Sequence, residues 1–180
     1  MTASATPTAS VPTAPVPSAA GEGLKAAFRH HPSGVAIITA ATPDGPVGLT
    51  ASSVASVAVD PAAIVFSVTR ATGSAGAILS AASFVVHLID DEHAELAQSF
   101  AVSGAERFTE AQGWSVLPTG EPFLPAARAA LRCRPIQAVP VGSSTVVVAE
   151  VLDVRHGAPG RPLVYLDRRF HSLPNEPLHP

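Results

Sequence analysis

The sequence predicts a mainly β fold: a small antiparallel barrel with a few short flanking helices. Three observations carry this. From Gly34 onward, short apolar runs are separated by turn residues. The runs follow one another closely, at strand length. Long stretches of helical periodicity are few. A chain of 180 residues has one domain as its default, able to bury roughly two-thirds of its unfolded surface.

Each element has its own reason. After the initiator, residues 1–20 contain only Ala, Thr, Ser, Pro and Val, with Pro7, Pro12, Pro15 and Pro17 breaking any helix. They read as a disordered tail, without the basic start and apolar block of a secretory signal. Glu22 to His31 reads as a helix, with Leu24, Ala27, Phe28 and His31 on one face. Gly21 to Ala26 matches G-x-G-x-x-A, yet no strand precedes it, which argues against a dinucleotide turn. Val35 to Ala41 is a strand, and Pro43-Asp-Gly45 a hairpin turn. Val47 to Ala58 and Ala63 to Thr69 are strands joined at Asp60-Pro61. Ser74 to Ala81 is a short helix and Phe84 to Ile89 a strand. Glu92 to Ala101 is a helix opened by Asp90 and Asp91, acids suited to a helix N-terminus. Ser103 to Gly120 holds a further helical turn. Ala127 to Val139, Ser144 to Val154 and Pro162 to Leu166 complete the strands. The expected layout is a tail (1–20), a folded domain (21–174) and a short C-terminal tail (175–180).

Composition narrows the function. Charged residues make up 14% of the chain and the formal net charge is −3, against about 25% charged in an average soluble domain. Nucleic-acid binding, which needs surplus Lys and Arg, is not expected. Neither a basic amphipathic run nor an apolar stretch of about 18 residues points to a membrane. Cys133 is the only cysteine, so no intramolecular disulfide and no Cys-paired zinc site is expected. The expected location is the cytoplasm.

Strand parity isolates a set of hydroxyls, because side chains alternate between faces. Thr50, Ser52 and Ser56 share one face of their run, and Ser53 lies on the other with Ala51 and Ala55. Ser67 and Thr69 share a face of the next strand. Thr72 and Ser74 stand at the start of a helix, whose free N–H groups and partial positive charge suit a phosphate. Arg107 or Arg70 is placed to add one full charge. Capping and strand-edge roles are the plain alternative for these residues.

Other candidates are weaker. No Walker, nucleophile-elbow or H-E-x-x-H pattern occurs. The acidic Asp90 to His93 cluster reads as a solvated helix start, and no metal site is expected. His87 reads as a hydrogen-bonded core histidine, and His30-His31 as a helix end. Cys133 reads as a small buried hydrophobe. Glu150, among valines and a leucine on its strand face, requires an ion pair or an interface.

The ordered set of motifs resembles the flavin reductase family with the FMN-binding split-barrel fold, the small reductase components of two-component flavin monooxygenases. The resemblance runs from about Phe28 to Leu173. It rests on Gly34 to Thr39, Gly48 to Val57 with Asp60-Pro61, Phe84 to Leu88, Phe100-Ala101, Arg107-Phe108 and Pro162 to His171. It implies an antiparallel split barrel with few flanking helices. It places the flavin ring and ribityl chain against Thr50, Ala51, Ser52 and Ser53, with further contacts at Ser67, Val68, Thr69 and Phe100. The phosphate falls to Thr72 and Ser74, its end reached by Arg107 and Phe108. The implied cofactor is FMN or FAD, with NADH or NADPH as co-substrate. The implied partners are a second copy of the chain and a separate monooxygenase.

One departure stands out. Where many members carry Gly-Asp-His or Gly-x-His near the nicotinamide site, this chain has Val141-Gly-Ser-Ser-Thr145. The second motif near that site, Arg169-Phe-His171, is intact, so His171 is the candidate for positioning the nicotinamide. A flavin-holding protein without efficient turnover is the competing reading. A pyridoxamine-phosphate oxidase on a similar barrel would need a cluster of Arg and Lys, and Lys25 is the only lysine.

Overall fold

The structure, a computed structural model, describes residues 18–174. Most of the expected N-terminal tail, and the C-terminal tail at 175–180, lie outside them. Helix α1 (Ala19–Arg29) takes in Ala19 and Ala20, with Ser18 Oγ accepting a hydrogen bond from Gly21 N at 3.0 Å. The G-x-G-x-x-A stretch is thus helix interior, with no phosphate-binding turn.

The strands are β1 (Ser33–Gly34), β2 (Ala36–Thr42), β3 (Gly45–Ala51), β4 (Ala55–Val59), β5 (Ala62–Thr69), β6 (Phe84–Leu88), β7 (Ser115–Val116), β8 (Pro122–Phe123), β9 (Ala129–Val141), β10 (Ser144–His156), β11 (Leu163–Leu166) and β12 (Arg169–Ser172). Helix α2 (Gly73–Ser80) follows β5, and α3 (Ala94–Ala101) follows β6. The antiparallel expectation holds. A seven-stranded sheet runs in the order β3-β2-β6-β9-β10-β5-β4, and smaller sheets are formed by β1-β11-β12 and β7-β8.

Four readings change. The run from Val47 to Ala58 is two strands, because Ser52 to Val54 form a corner that carries the chain from one edge of the sheet to the other. Parity therefore resets there, and Ser56 does not share a face with Thr50 and Ser52 by alternation. The helix from Glu92 opens as a 3-10 turn, Asp91–His93, because the Asp90 carboxylate bonds His93 Nδ1 and makes no cap. A further hairpin, β11–β12, turns at Asp167 and Arg168. Both have positive φ, 51° and 63°, the geometry of a type I′ turn. Finally, short strands β1, β7 and β8 lie in segments read as non-strand.

The core explains the continuous apolar runs. Strand β2 is buried on both faces: Ala36, Ile38 and Ala40 enter a cluster with Phe66, Ile78 and Phe84. On its other face Val35, just before the strand, and Ile37 pack with Ile89, Phe100, Leu124 and Leu163. Phe66 and Phe84 meet edge to face at 5.4 Å between centroids.

Buried polar groups are paired. His87 is fully buried and takes Leu124 N–H on Nε2 at 3.1 Å, while Nδ1–H donates to Ile37 O at 3.0 Å. Desolvation pulls its pKa down to about 4, against the Ile37 hydrogen bond that favours the charged form. Glu121, 2% exposed, was not singled out by sequence. It accepts from Ser83 and Thr119 hydroxyls and from Arg132 Nε at 2.7 Å. Burial pushes its pKa up, but these bonds together outweigh it and hold the carboxyl at about 2. Cys133 is buried, and desolvation pushes its thiol up to about 12. Glu150 pairs across strands with Arg134, as an ion pair.

Candidate functional site

A cavity of about 660 Å³ opens where the β3–β4 corner, the end of β5, the start of α2 and the end of α3 converge. Its size falls in the roughly 300–1,000 Å³ range of ligand sites. The wall holds Thr50, Ala51, Ser52 and Ser53 from the corner, and Ser67, Val68 and Thr69 from β5. Thr72 and Ser74 come from the α2 start, with Phe100 and Arg107 opposite. The structure therefore brings together every flavin-binding residue expected from sequence except Phe108.

Phe108 belongs to the support behind the wall. With φ at 59°, its ring packs edge to face on Phe100 at 5.1 Å and tilted on Trp114 at 5.1 Å. Phe100 in turn lies against Gly48, where a Cβ would come within 2.8 Å of Phe100 Cδ1. Gly48 is glycine because β3 and α3 approach this closely.

Arg107 locks the wall. Its Nη1 donates to Gly48 O at 3.0 Å, its Nε to Ser99 O at 3.2 Å and its Nη2 to Val102 O at 2.6 Å. Nη1 also reaches Ser74 Oγ at 3.4 Å, and the guanidinium lies 5.4 Å from the Phe100 centroid. Its acceptors are carbonyls and a hydroxyl, so its charge is not neutralised by a carboxylate among the described residues. The lining contains two arginines, Arg70 and Arg107, and no Asp or Glu.

The hydroxyls divide into two kinds. Ser53 Oγ accepts from Ser67 N at 2.9 Å and donates to Ser67 O at 3.1 Å. It staples the corner to β5, in the manner of a ladder bond. Thr50 Oγ1 donates to Ala97 O at 2.6 Å, tying β3 to α3. Ser52, Thr69 and Thr72 have no such side-chain bond among the described residues. Thr72 is the N-cap of α2, but its side chain makes no cap bond. The first N–H groups of α2 face the same space, Gly73 turns there with φ at 56°, and the helix dipole favours an anion.

The wall thus fits a flavin mononucleotide: hydroxyls and backbone for a polyol and a neutral ring, with a cationic cradle for a phosphate. Sequence reasoning missed Gly48, Leu49, Gly73, Ala75, Ala101 and Ser103, which also line the cavity. A glycine inside a strand was the one available signal, at Gly48.

Of two further expected features, His171 lies outside this cavity and the Val141 to Thr145 hairpin tip borders it. His171 lines a separate depression of about 530 Å³ with Arg29, His30, Asp167 and Arg169. The Val141 to Thr145 departure is the β9–β10 hairpin tip, where Ser144 pairs with Thr69 and Ser143 O accepts from Arg70 N at 2.8 Å. The Asp90 to His93 segment is not the solvated helix start expected: Asp90 is buried with its carboxylate bonded to His93 Nδ1, and Asp91 pairs with Arg161. Among the described residues no cluster of His, Cys, Asp or Glu is arranged to hold a metal.

Fold and cavity define a small-ligand-binding antiparallel barrel, and comparison places it. Residues 28–174 match the flavin reductase like domain, and the chain belongs to that family. It is 36% identical over 151 residues to an NADH:FMN oxidoreductase of Rhodococcus qingshengii, covering 82% of this chain and 79% of that one. It is 34% identical over 155 residues to the reductase component of a 4-nitrophenol monooxygenase of Rhodococcus opacus, covering 83% and 82%. Its fold superposes on a crystal structure of a flavin reductase domain protein from Arthrobacter with a TM-score of 0.80. There the identity is 30%, over 88% of this chain and 98% of that one.

Proposed function

We propose that this chain is a flavin reductase: it oxidises NADH or NADPH, reduces FMN or FAD, and supplies the reduced flavin to a separate monooxygenase. The observation that carries this is the cavity wall, an open hydroxyl and backbone surface ending in a cationic cradle, in a chain of the flavin reductase family. The two curated relatives, an NADH:FMN oxidoreductase and a monooxygenase reductase component, support the same reading.

When bound, the flavin would supply the redox chemistry, as the acceptor of hydride from a dihydronicotinamide. The protein's part is orientation. Thr72, Ser74, Arg70, Arg107 and the first N–H groups of α2 hold the phosphate. Ser52, Ser67 and Thr69 hydrogen-bond the polyol and ring edge, and Phe100, backed by Phe108 and Trp114, keeps that side of the cavity dry. Two rings must lie about 3–3.5 Å apart for the transfer, and no protein nucleophile or base is required.

The reductase is further proposed to act as a homodimer in the cytoplasm. Exposed apolar side chains recur along β4 (Val57 and Val59), β9 (Ile136, Val139 and Val141) and β10 (Leu152 and Val154), the kind of surface that a second copy covers. Anaerobic mixing of the purified protein and FMN with NADH tests the activity: loss of the oxidised flavin absorbance is expected, and a bound but unreduced flavin would overturn it. Sedimentation tests the dimer, which a monomer with full flavin affinity would exclude.

A further inference from the structure

The irregular segment after α3 sends two adjacent side chains in different directions. Arg107 reaches the cavity, and Phe108 packs behind its wall on Phe100 and Trp114. That divergence depends on the backbone between them. Phe108 holds φ at 59°, a left-handed conformation that a bulky residue seldom takes. Such a conformation persists where the surroundings over-determine it.

The hold comes from one side chain, Gln112. It ends the 3-10 turn Glu110–Gln112, whose N-cap is Thr109. Gln112 Oε1 accepts from Thr109 N at 3.2 Å and from Trp114 Nε1 at 3.2 Å, and its Nε2 donates to Glu106 O at 3.3 Å. Glu106 and Thr109 flank the Arg107-Phe108 pair, so one amide clamps the backbone on both sides of it. Its orientation follows from its partners: two N–H donors face the oxygen and one carbonyl faces the NH₂, and a flipped amide would satisfy none of the three. Trp114 gives the clamp a fixed point, since its ring packs on Phe100 and Phe108 at 5.4 and 5.1 Å between centroids.

Arg107 is thereby fixed at two ends. The carbonyls of Gly48, Ser99 and Val102 hold its guanidinium, and Gln112 holds its backbone. We infer that Gln112 is a positioning residue for the flavin phosphate: it sets the Arg107-Phe108 turn, and so the place of the Arg107 charge in the cradle. The inference rests on the reductase reading above, in which that cradle holds the phosphate. Gln112 does not itself line the cavity, so its effect passes through Arg107.

Flavin binding by Gln112→Met and Gln112→Glu variants tests this, with FMN and riboflavin as the probes. Met keeps the length of the side chain and loses all three hydrogen bonds. Glu keeps the two accepted bonds and loses the one donated to Glu106 O. The FMN Kd from fluorescence quenching is expected to rise about 10-fold for Met, the order of one or two neutral hydrogen bonds, and less for Glu. Riboflavin, which has no phosphate, is expected to keep its wild-type Kd in both variants. In a protein that already carries Arg107→Gln, adding Gln112→Met is expected to change the FMN Kd by less than about 2-fold, because residues that act through one another are not additive. Parallel weakening of FMN and riboflavin would overturn the inference, since general damage to the wall produces it. So would a full further loss in the Arg107→Gln background, or an FMN Kd unmoved by Gln112→Met. Riboflavin bound as tightly as FMN by the wild-type protein would instead sink the phosphate cradle beneath it.

Discussion

Two polar regions of this barrel have opposite wiring. Around Glu121, just before β8, the carboxylate, the Ser83 and Thr119 hydroxyls and Arg132 of β9 satisfy one another. At the cavity, among the described residues, Ser52, Thr69 and Thr72 are left without side-chain partners and two arginines without carboxylates. Burial without pairing is costly, so the interior cluster closes on itself. The cavity wall is solvated and can leave its groups open for a ligand. Closed wiring predicts stability effects, and open wiring predicts binding effects.

The largest effect should come from breaking the closed cluster. Glu121→Ala strands Arg132 and two hydroxyls, and should cost about 3 kcal/mol in urea unfolding while leaving FMN affinity of the folded protein unchanged. Acid should act on the same class of group. The His87 pKa lies near 4 in the fold, below its ordinary value of about 6.5, so the unfolded chain binds the proton more readily between these values. Stability is therefore full above pH 6.5 and should fall by about 3 kcal/mol as pH drops to 4. Glu121, held near 2, should add a further loss as pH falls below about 4.5. Unfolding curves at pH 7, 5.5 and 4, with the His87 ring resonance followed by NMR, check both.

Binding effects come next. Arg107→Gln removes the charge and most carbonyl contacts at the cradle, and should weaken FMN about 10-fold or more in fluorescence titration. Two neighbouring serines then make the sharpest contrast. Ser53→Ala unpairs Ser67 N–H and should cost about 1 kcal/mol of stability. Ser52→Ala should leave the melting temperature alone and weaken FMN only a few-fold, on the order of one neutral hydrogen bond. A drop in melting temperature for Ser52→Ala, or none for Ser53→Ala, would erase the distinction between spent and open hydroxyls.

Much of this was legible in the residues. The continuous apolar run of β2, the alternation in β5, the Asp44-Gly45 and Asp60-Pro61 turns and the hydroxyls near the β5 end all follow local rules of strand patterning and turn chemistry. His87, Cys133 and Glu150 were read correctly, because an isolated polar group on an apolar strand face has few physical outcomes. The corner at Ser52 to Val54 was not legible, since a strand that changes sheet edge keeps the same local pattern. Nor was the β11–β12 turn, whose positive φ falls on Asp167 and Arg168 in place of glycine.

The sequence alone determined an antiparallel barrel and the segments that line its cavity, because face and turn depend on near neighbours. Only the tertiary structure decided which hydroxyls are spent, that Phe108 backs the wall instead of lining it, and that His171 lies outside the cavity. Those facts depend on partners far away in the chain. Ser53 meets Ser67 only when the corner after β3 folds onto β5, and Arg107 meets Gly48 only when α3 packs on β3.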